Sequence, residues 1–184
     1  MNRFKFYTAR LALVVALFAL PGLAQAGTAK AMAPFGDKVS AAITNYNRAS
    51  PMIGTAGLLL EGGVMEAKRL GFKTILNLLT AKEGAEIERE KAKAVGIKYL
   101  NIPVPTRAPT DAQVREFARI INDPANLPIL VHCETANRVG AMWALYRASK
   151  GVPAMIAVEE GRAIGLKPSR EKTVRKRLGL PPLS

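Results

Sequence analysis

The chain predicts an α/β fold in three layers, with a central, mostly parallel sheet flanked by helices. Three observations carry this. From Pro51 onward, apolar runs alternate with amphipathic segments, which implies right-handed strand–helix–strand crossovers. Leu127–His132 (LPILVH) is a short apolar run, as a strand covered on both faces requires. Gly71, Gly96 and Gly165 follow segments of helical pattern, where helices end in a left-handed residue.

The elements follow in order. Met52–Ala56 reads as a first strand and Glu61–Leu70 as a helix stopped by Gly71. Phe72–Leu78 (FKTILNL) is a strand, and Glu83–Val95 a charged surface helix stopped by Gly96. Ile97–Ile102 is the next strand. Thr110 or Asp111 caps a helix with Val114, Phe117, Ala118 and Ile121 at helical spacing. After strand 127–132, a long helix runs from Arg138 to Ser149. Another has Pro153 in its first turn and ends near Gly165. Ser169 is expected to cap a last, basic helix.

The expected domains are 1–26, a leader; 27–50, a linker; 51–168, the folded domain; and 169–184, a basic helix and tail. Arg3, Lys5 and Arg10 precede the apolar run Leu11–Leu20. Pro21-Gly22 breaks it, and Ala24-Gln25-Ala26 offers small cleavage residues. That is the pattern of a secretory signal peptide cut after Ala26, and the run is half the roughly 20 residues of a membrane span. The expected destination is the periplasm or the exterior.

The 184 residues include 27 Lys+Arg against 14 Asp+Glu, with a single His and a single Cys. One Cys closes no internal disulfide, and one His with one Cys makes no His/Cys metal cage. No cofactor and no metal is expected. The basic excess concentrates at Lys167, Arg170, Lys172, Arg175, Lys176 and Arg177, against Glu171 alone. Such a tail suits a solvated face, or contact with anionic lipid or cell-wall polymer. Nucleic acid is not the expected partner of an exported chain.

The lone pair is adjacent, His132-Cys133, and it ends the apolar strand. In open α/β sheets, sites lie at the carboxyl ends of strands. The run Cys133-Glu134-Thr135-Ala136-Asn137-Arg138 links strand to helix. A tight loop there aims backbone N–H groups and a helix N-terminus at one point, which favours an anion and a thiolate. Arg138 adds a planar fork for an oxyanion. Cys133 is thus the expected nucleophile, Arg138 the clamp, and Glu134, Thr135, Ala136, Asn137 and Val139 the substrate-binding loop. His132 is expected to steady the loop from behind. Trp143 and Tyr146 read as core.

The run HCETANRVGAMWALYRASKG resembles the HC-x5-R signature of cysteine-dependent phosphatases. It is most similar to the bacterial dual-specificity-like domain found with beta-lactamase-hydrolase-like proteins, whose members are labelled phosphatases or sulfurtransferases. The likeness covers Asn45 to about Pro168, including GFKTILNL, GIKYLNIPV and EEGRAIGL (159–166). It implies a dual-specificity-phosphatase-like fold and a thiophosphate on Cys133, with Arg138 on the equatorial oxygens. The expected substrate is a phosphorylated protein or small molecule.

The chain departs from that pattern in four places. Four residues, not five, separate Cys133 from Arg138, the loop size of rhodanese-type sulfurtransferases. A persulfide carrier is therefore the runner-up, and a non-catalytic anion-binding module the third reading. Val139 stands where such phosphatases place Ser or Thr, and Ala136 where they place Gly. Thr106 occupies the place of the general acid. Asp111 is then either that acid or only a helix cap. Arg107 lies on the same loop as a substrate ligand or a solvated side chain.

Overall fold

A computed structural model describes residues 32–183; the expected leader lies outside them. Five strands, β1 (Asn47–Ser50), β2 (Ile53–Ala56), β3 (Thr74–Asn77), β4 (Lys98–Asn101) and β5 (Ile129–His132), form one sheet in the order β1-β2-β5-β3-β4. All neighbours run parallel except β1 and β2, which pair as an antiparallel hairpin. Six helices cover it: α1 (Gly63–Arg69), α2 (Ala85–Val95), α3 (Asp111–Ile121), α4 (Asn137–Ser149), α5 (Ala154–Ile164) and α6 (Pro168–Arg177).

Side-chain alternation along the strands divides the core in two. Ile129 and Val131 of β5, with Leu76 and Ile53, join a cluster containing Phe117, Met142, Val158 and Val174 from α3 to α6. Leu130, Ile75 and Ala56 point the other way, to Val64 and Ala67 of α1 and Ala92 of α2. The same parity places His132 on the α2 side and Cys133 on the α4 side. Both β5 neighbours end level with His132, through Ala56 and Asn77, so Cys133 is the first residue past the sheet edge.

The helix α4 lies inside the protein, buried continuously from Asn137 to Tyr146. A helix buried all round needs a close partner, and α5 crosses it through facing glycines. A Cβ on Gly140 would sit 2.5 Å from Leu166 N and 2.6 Å from Gly161 O. Both are backbone atoms and cannot swing aside. Gly140→Ala should therefore destabilise by about 2–3 kcal/mol. At roughly 2–4 °C per kcal/mol for this size, a thermal melt should fall by about 5–10 °C. An unchanged melt would show that this crossing is loose.

Three expectations about the chain ends need correction. The linker expected over 27–50 contributes β1, and Ala33 and Ile43 are buried in the α1–α2 cluster. The polar run Asn47–Ser50 gives no apolar alternation, because as an edge strand it is only half-buried throughout. The basic helix expected as a tail from 169 packs into the domain through fully buried Val174, and its Glu171 is buried against Arg162 (Nη2–Oε1 2.5 Å). Its cap is Lys167, with Pro168 in the first turn. Ser169 lies inside the helix, its Oγ accepting from Asn137 Nδ2 at 3.1 Å. The segment expected as one helix from Glu83 is broken by Gly84, left-handed at φ 94°, into a 3-10 turn Ala81–Glu83 and α2.

Arginines of α6 are also spent internally. Arg170 donates to the Thr106 carbonyl, Arg175 to the Pro181 carbonyl, and Arg177 to the Pro109 carbonyl and Asp111. Lys167, Lys172 and Lys176 remain exposed.

Candidate active site

Strand β5 delivers Cys133, 1% exposed, onto the loop that opens α4. The loop is anchored where it leaves the sheet. Cys133 N–H donates to Ala56 O at 3.4 Å, and Glu134 O accepts from Leu58 N–H at 2.9 Å. Ala136 takes a left-handed conformation at φ 61° to turn the chain into the helix, which costs a residue with a Cβ about 1–2 kcal/mol. Its methyl group is fully buried. Among the described residues, no backbone or side-chain acceptor takes the N–H groups from Glu134 through Val139. Six donors at a helix N-terminus beside a thiol make an anion cradle.

Arg138 is 5% exposed and held in one orientation. Its Nη1 donates to Glu83 Oε2 at 2.8 Å, to Leu78 O at 3.3 Å and to Val104 O at 3.4 Å, and its Nη2 donates to Glu83 Oε1. Glu83 is itself fixed by a capping box in which its Oε2 accepts from Thr80 N–H at 2.9 Å and Thr80 Oγ1 at 2.7 Å. The Arg138 bond, helped by the Thr80 donors against partial burial, lowers the Glu83 carboxyl to about 2. Sequence reasoning missed Glu83 as a site residue. Its signal was available as the T-x-x-E pattern, Thr80 to Glu83, directly after a strand.

Behind the thiol, His132 is fully buried with Nε2 2.7 Å from Glu88 Oε1. Asn77 Nδ2 donates to the same oxygen at 3.0 Å and to Tyr99 Oη at 2.9 Å, while its Oδ1 accepts from Leu79 N–H at 2.6 Å. His132 thus ties the loop base to α2 rather than bonding the loop directly.

The remaining expected residues are distributed unevenly. Glu134 is exposed, its Oε2 3.9 Å from Arg138 Nη2, and Thr135 is exposed. Asn137 bridges to α6, its Oδ1 accepting from Lys167 N–H at 2.9 Å, and Val139 is fully buried in the core. These two can offer a substrate their backbone N–H groups. Asp111 is the first residue of α3, capped by Thr110, and its exposed carboxylate pairs with Arg177. Among the described residues it has no hydrogen bond to Cys133, Arg138 or Glu83. Arg107 is exposed on the 106–108 bend. Half-buried Arg170 joins this group unexpectedly: burial, with Arg138 and Arg107 nearby, lowers its basicity, while Cys133 opposes that. Three guanidinium groups therefore gather at the edge where the thiol sits.

A buried thiol on a strand-end anion loop, clamped by an arginine from the next helix, defines the cysteine-dependent phosphatases of dual-specificity type. The family model described as "DSP-PTPase phosphatase fused to NAD+ Kinase" matches residues 57–176, and the chain belongs to this family. Among solved structures, TpbA of P. aeruginosa is similar at 25% identity and TM-score 0.60, covering 75% of this chain and 87% of that one. The catalytic core of the PP-IP phosphatase SIW14 of S. cerevisiae matches at 20% identity and TM-score 0.57, over 72% and 85%. A candidate phosphatase of Neisseria meningitidis matches at 22% and 0.61, over 74% and 96%. No curated protein matches the chain. The family match extends through most of α6, in keeping with the packing of that helix into the domain.

Because Glu83 holds the Arg138 fork in plane, Glu83→Gln should lower kcat for an aryl phosphate by about 10- to 100-fold, the scale of a small misplacement of a catalytic group. The pH dependence has a definite sign. A carboxyl depressed in the folded state stabilises above its unfolded value, near 4.5, and loses that stabilisation as pH falls through about 2. The stability gap between wild type and Glu83→Gln should thus be flat above pH 5 and close on acidification. A gap that widens in acid would reverse the assignment.

Proposed function

We propose that the protein is an exported phosphomonoesterase that works through a covalent Cys133 intermediate. The Cys133 thiolate attacks phosphorus and the P–O ester bond breaks. The leaving oxygen takes a proton. Water then attacks the thiophosphate, the S–P bond breaks, and the thiolate is restored with release of inorganic phosphate. Arg138 and the loop N–H groups carry the charge of the equatorial oxygens in both steps.

The observation that carries this reading is the buried Cys133 thiol beneath unpaired loop N–H groups, with Arg138 fixed at its side. Asp111 is engaged by Arg177, so leaving-group protonation is the weak half of the reaction, and aryl esters should be preferred to alkyl esters. The cationic group Arg107, Arg138 and Arg170 suits a substrate of high negative charge. A phosphorylated small molecule of that kind is one such class, and a phosphorylated protein is the other. Export rests on the leader pattern at 1–26, and Lys167, Lys172 and Lys176 of α6 remain available to anionic lipid or cell-wall polymer. The test is aryl-phosphate hydrolysis beside thiosulfate sulfurtransfer, on wild type and Cys133→Ser.

A further inference from the structure

Among the described residues, four of the eight exposed large hydrophobic ones gather in one place: Leu58, Leu60, Met65 and Ile87. They rim a groove of about 360 Å³ between the chain that follows β2 and helix α2. Its volume falls in the roughly 300–1,000 Å³ range of small-molecule sites. Contiguous exposed apolar side chains around a concave site suit an apolar ligand.

The groove borders the supports of the phosphate loop. Leu58, on its rim, donates its N–H to the Glu134 carbonyl of that loop. Glu83, in its wall, holds Arg138. Its neighbour in the wall is Leu79, next in sequence to Leu78, whose carbonyl accepts from Arg138. The two acids in the wall are already engaged, Glu83 by Arg138 and Glu88 by His132. The groove therefore presents apolar surface with Lys91 as its unpaired charge among the described residues. An anion held in the loop meets the cations Arg138 and Arg170, and the apolar trough shares Glu83 and Leu58 with the supports of that loop.

From this juxtaposition we propose that the substrate is an amphiphile, a phosphate monoester whose aryl-type leaving group carries an apolar chain, with its head in the Cys133 loop and its chain in the groove. The proposal rests on the reading of that loop as the phosphate site.

Alkylphosphonates test this without requiring the ester to be cleaved. Butyl-, octyl- and dodecylphosphonate, each below its micellar concentration, are titrated as competitive inhibitors of p-nitrophenyl phosphate hydrolysis. Each methylene buried is worth up to about fourfold in affinity. In a groove open on one side, inhibition should tighten at least tenfold from butyl to octyl. Met65→Glu and Ile87→Glu should remove that gain and leave p-nitrophenyl phosphate turnover within twofold of wild type. Ile156→Glu, at an exposed apolar residue on α5, should leave the gain intact. Direct titration of the phosphonates onto Cys133→Ser separates the two ideas. Chain-length-dependent binding without wild-type turnover would overturn the phosphatase reading alone. Turnover with inhibition independent of chain length would overturn the groove. So would a gain that survives both Glu variants, or one shown only by phosphotyrosine peptides with apolar flanks.

Discussion

Cys133→Ser should abolish hydrolysis of p-nitrophenyl phosphate, with less than about one part in a thousand of the wild-type rate remaining. The substitution changes one atom at a buried residue and should leave the thermal melt nearly unchanged. The rate loss follows from the nucleophile. Sulfur is the intrinsically stronger nucleophile, whereas a serine hydroxyl there has no base to activate it. The nearest imidazole, His132, is committed to Glu88 at 2.7 Å. The same pair of proteins decides between the two chemistries that a six-position loop allows. Thiosulfate treatment followed by intact mass should give no one-sulfur adduct on wild type. A persulfide on Cys133 together with unchanged phosphate turnover in the Ser variant would transfer the assignment to sulfurtransfer. Phosphate binding without either turnover would leave an anion-binding module.

Arg138→Lys should cost about 10²- to 10³-fold in kcat, the size of losing a preorganised donor at a developing oxyanion. Charge is retained, so the loss isolates geometry. The guanidinium meets Glu83 with two nitrogens and also reaches the carbonyls of Leu78 and Val104. One ammonium has neither the reach nor the planar fork to hold Glu83 and an equatorial oxygen together. The weaker clamp should also raise the inhibition constant for inorganic phosphate. A variant within threefold of wild type in kcat would mean that Arg138 serves the structure, with Glu83, and not the reacting phosphoryl group.

The candidate site was legible where its chemistry is local. His132-Cys133, the four-residue gap to Arg138 and the apolar strand before them are contiguous, so the loop and its place at the sheet edge could be read directly. Glu83, Glu88 and Arg170 could not be placed in this way. They lie 55 residues before Arg138, 44 before His132 and 64 after Thr106, and only strand order brings them together. The antiparallel edge strand was missed for a related reason. NRAS carries no apolar alternation, because an edge strand exposes part of every residue. The basic stretch after Pro168 looked like a tail because charge dominates its composition, while one buried valine, Val174, sets its packing.

By itself the sequence determined the alternating elements, the buried β5, the nucleophile and the arginine that follows it, since each depends on neighbours within about ten positions. It also raised the question of the acid by placing Thr106 where an acid was expected. The tertiary structure decided which charges the site holds in reserve. It pairs Arg138 with Glu83 and His132 with Glu88, binds Asp111 to Arg177, brings Arg170 toward the thiol, and leaves an apolar groove beside the loop. Such pairings follow from the order in which β2, β5 and β3 lie side by side. That order is set by which apolar faces can be buried together across long sequence separations, and no local pattern encodes it.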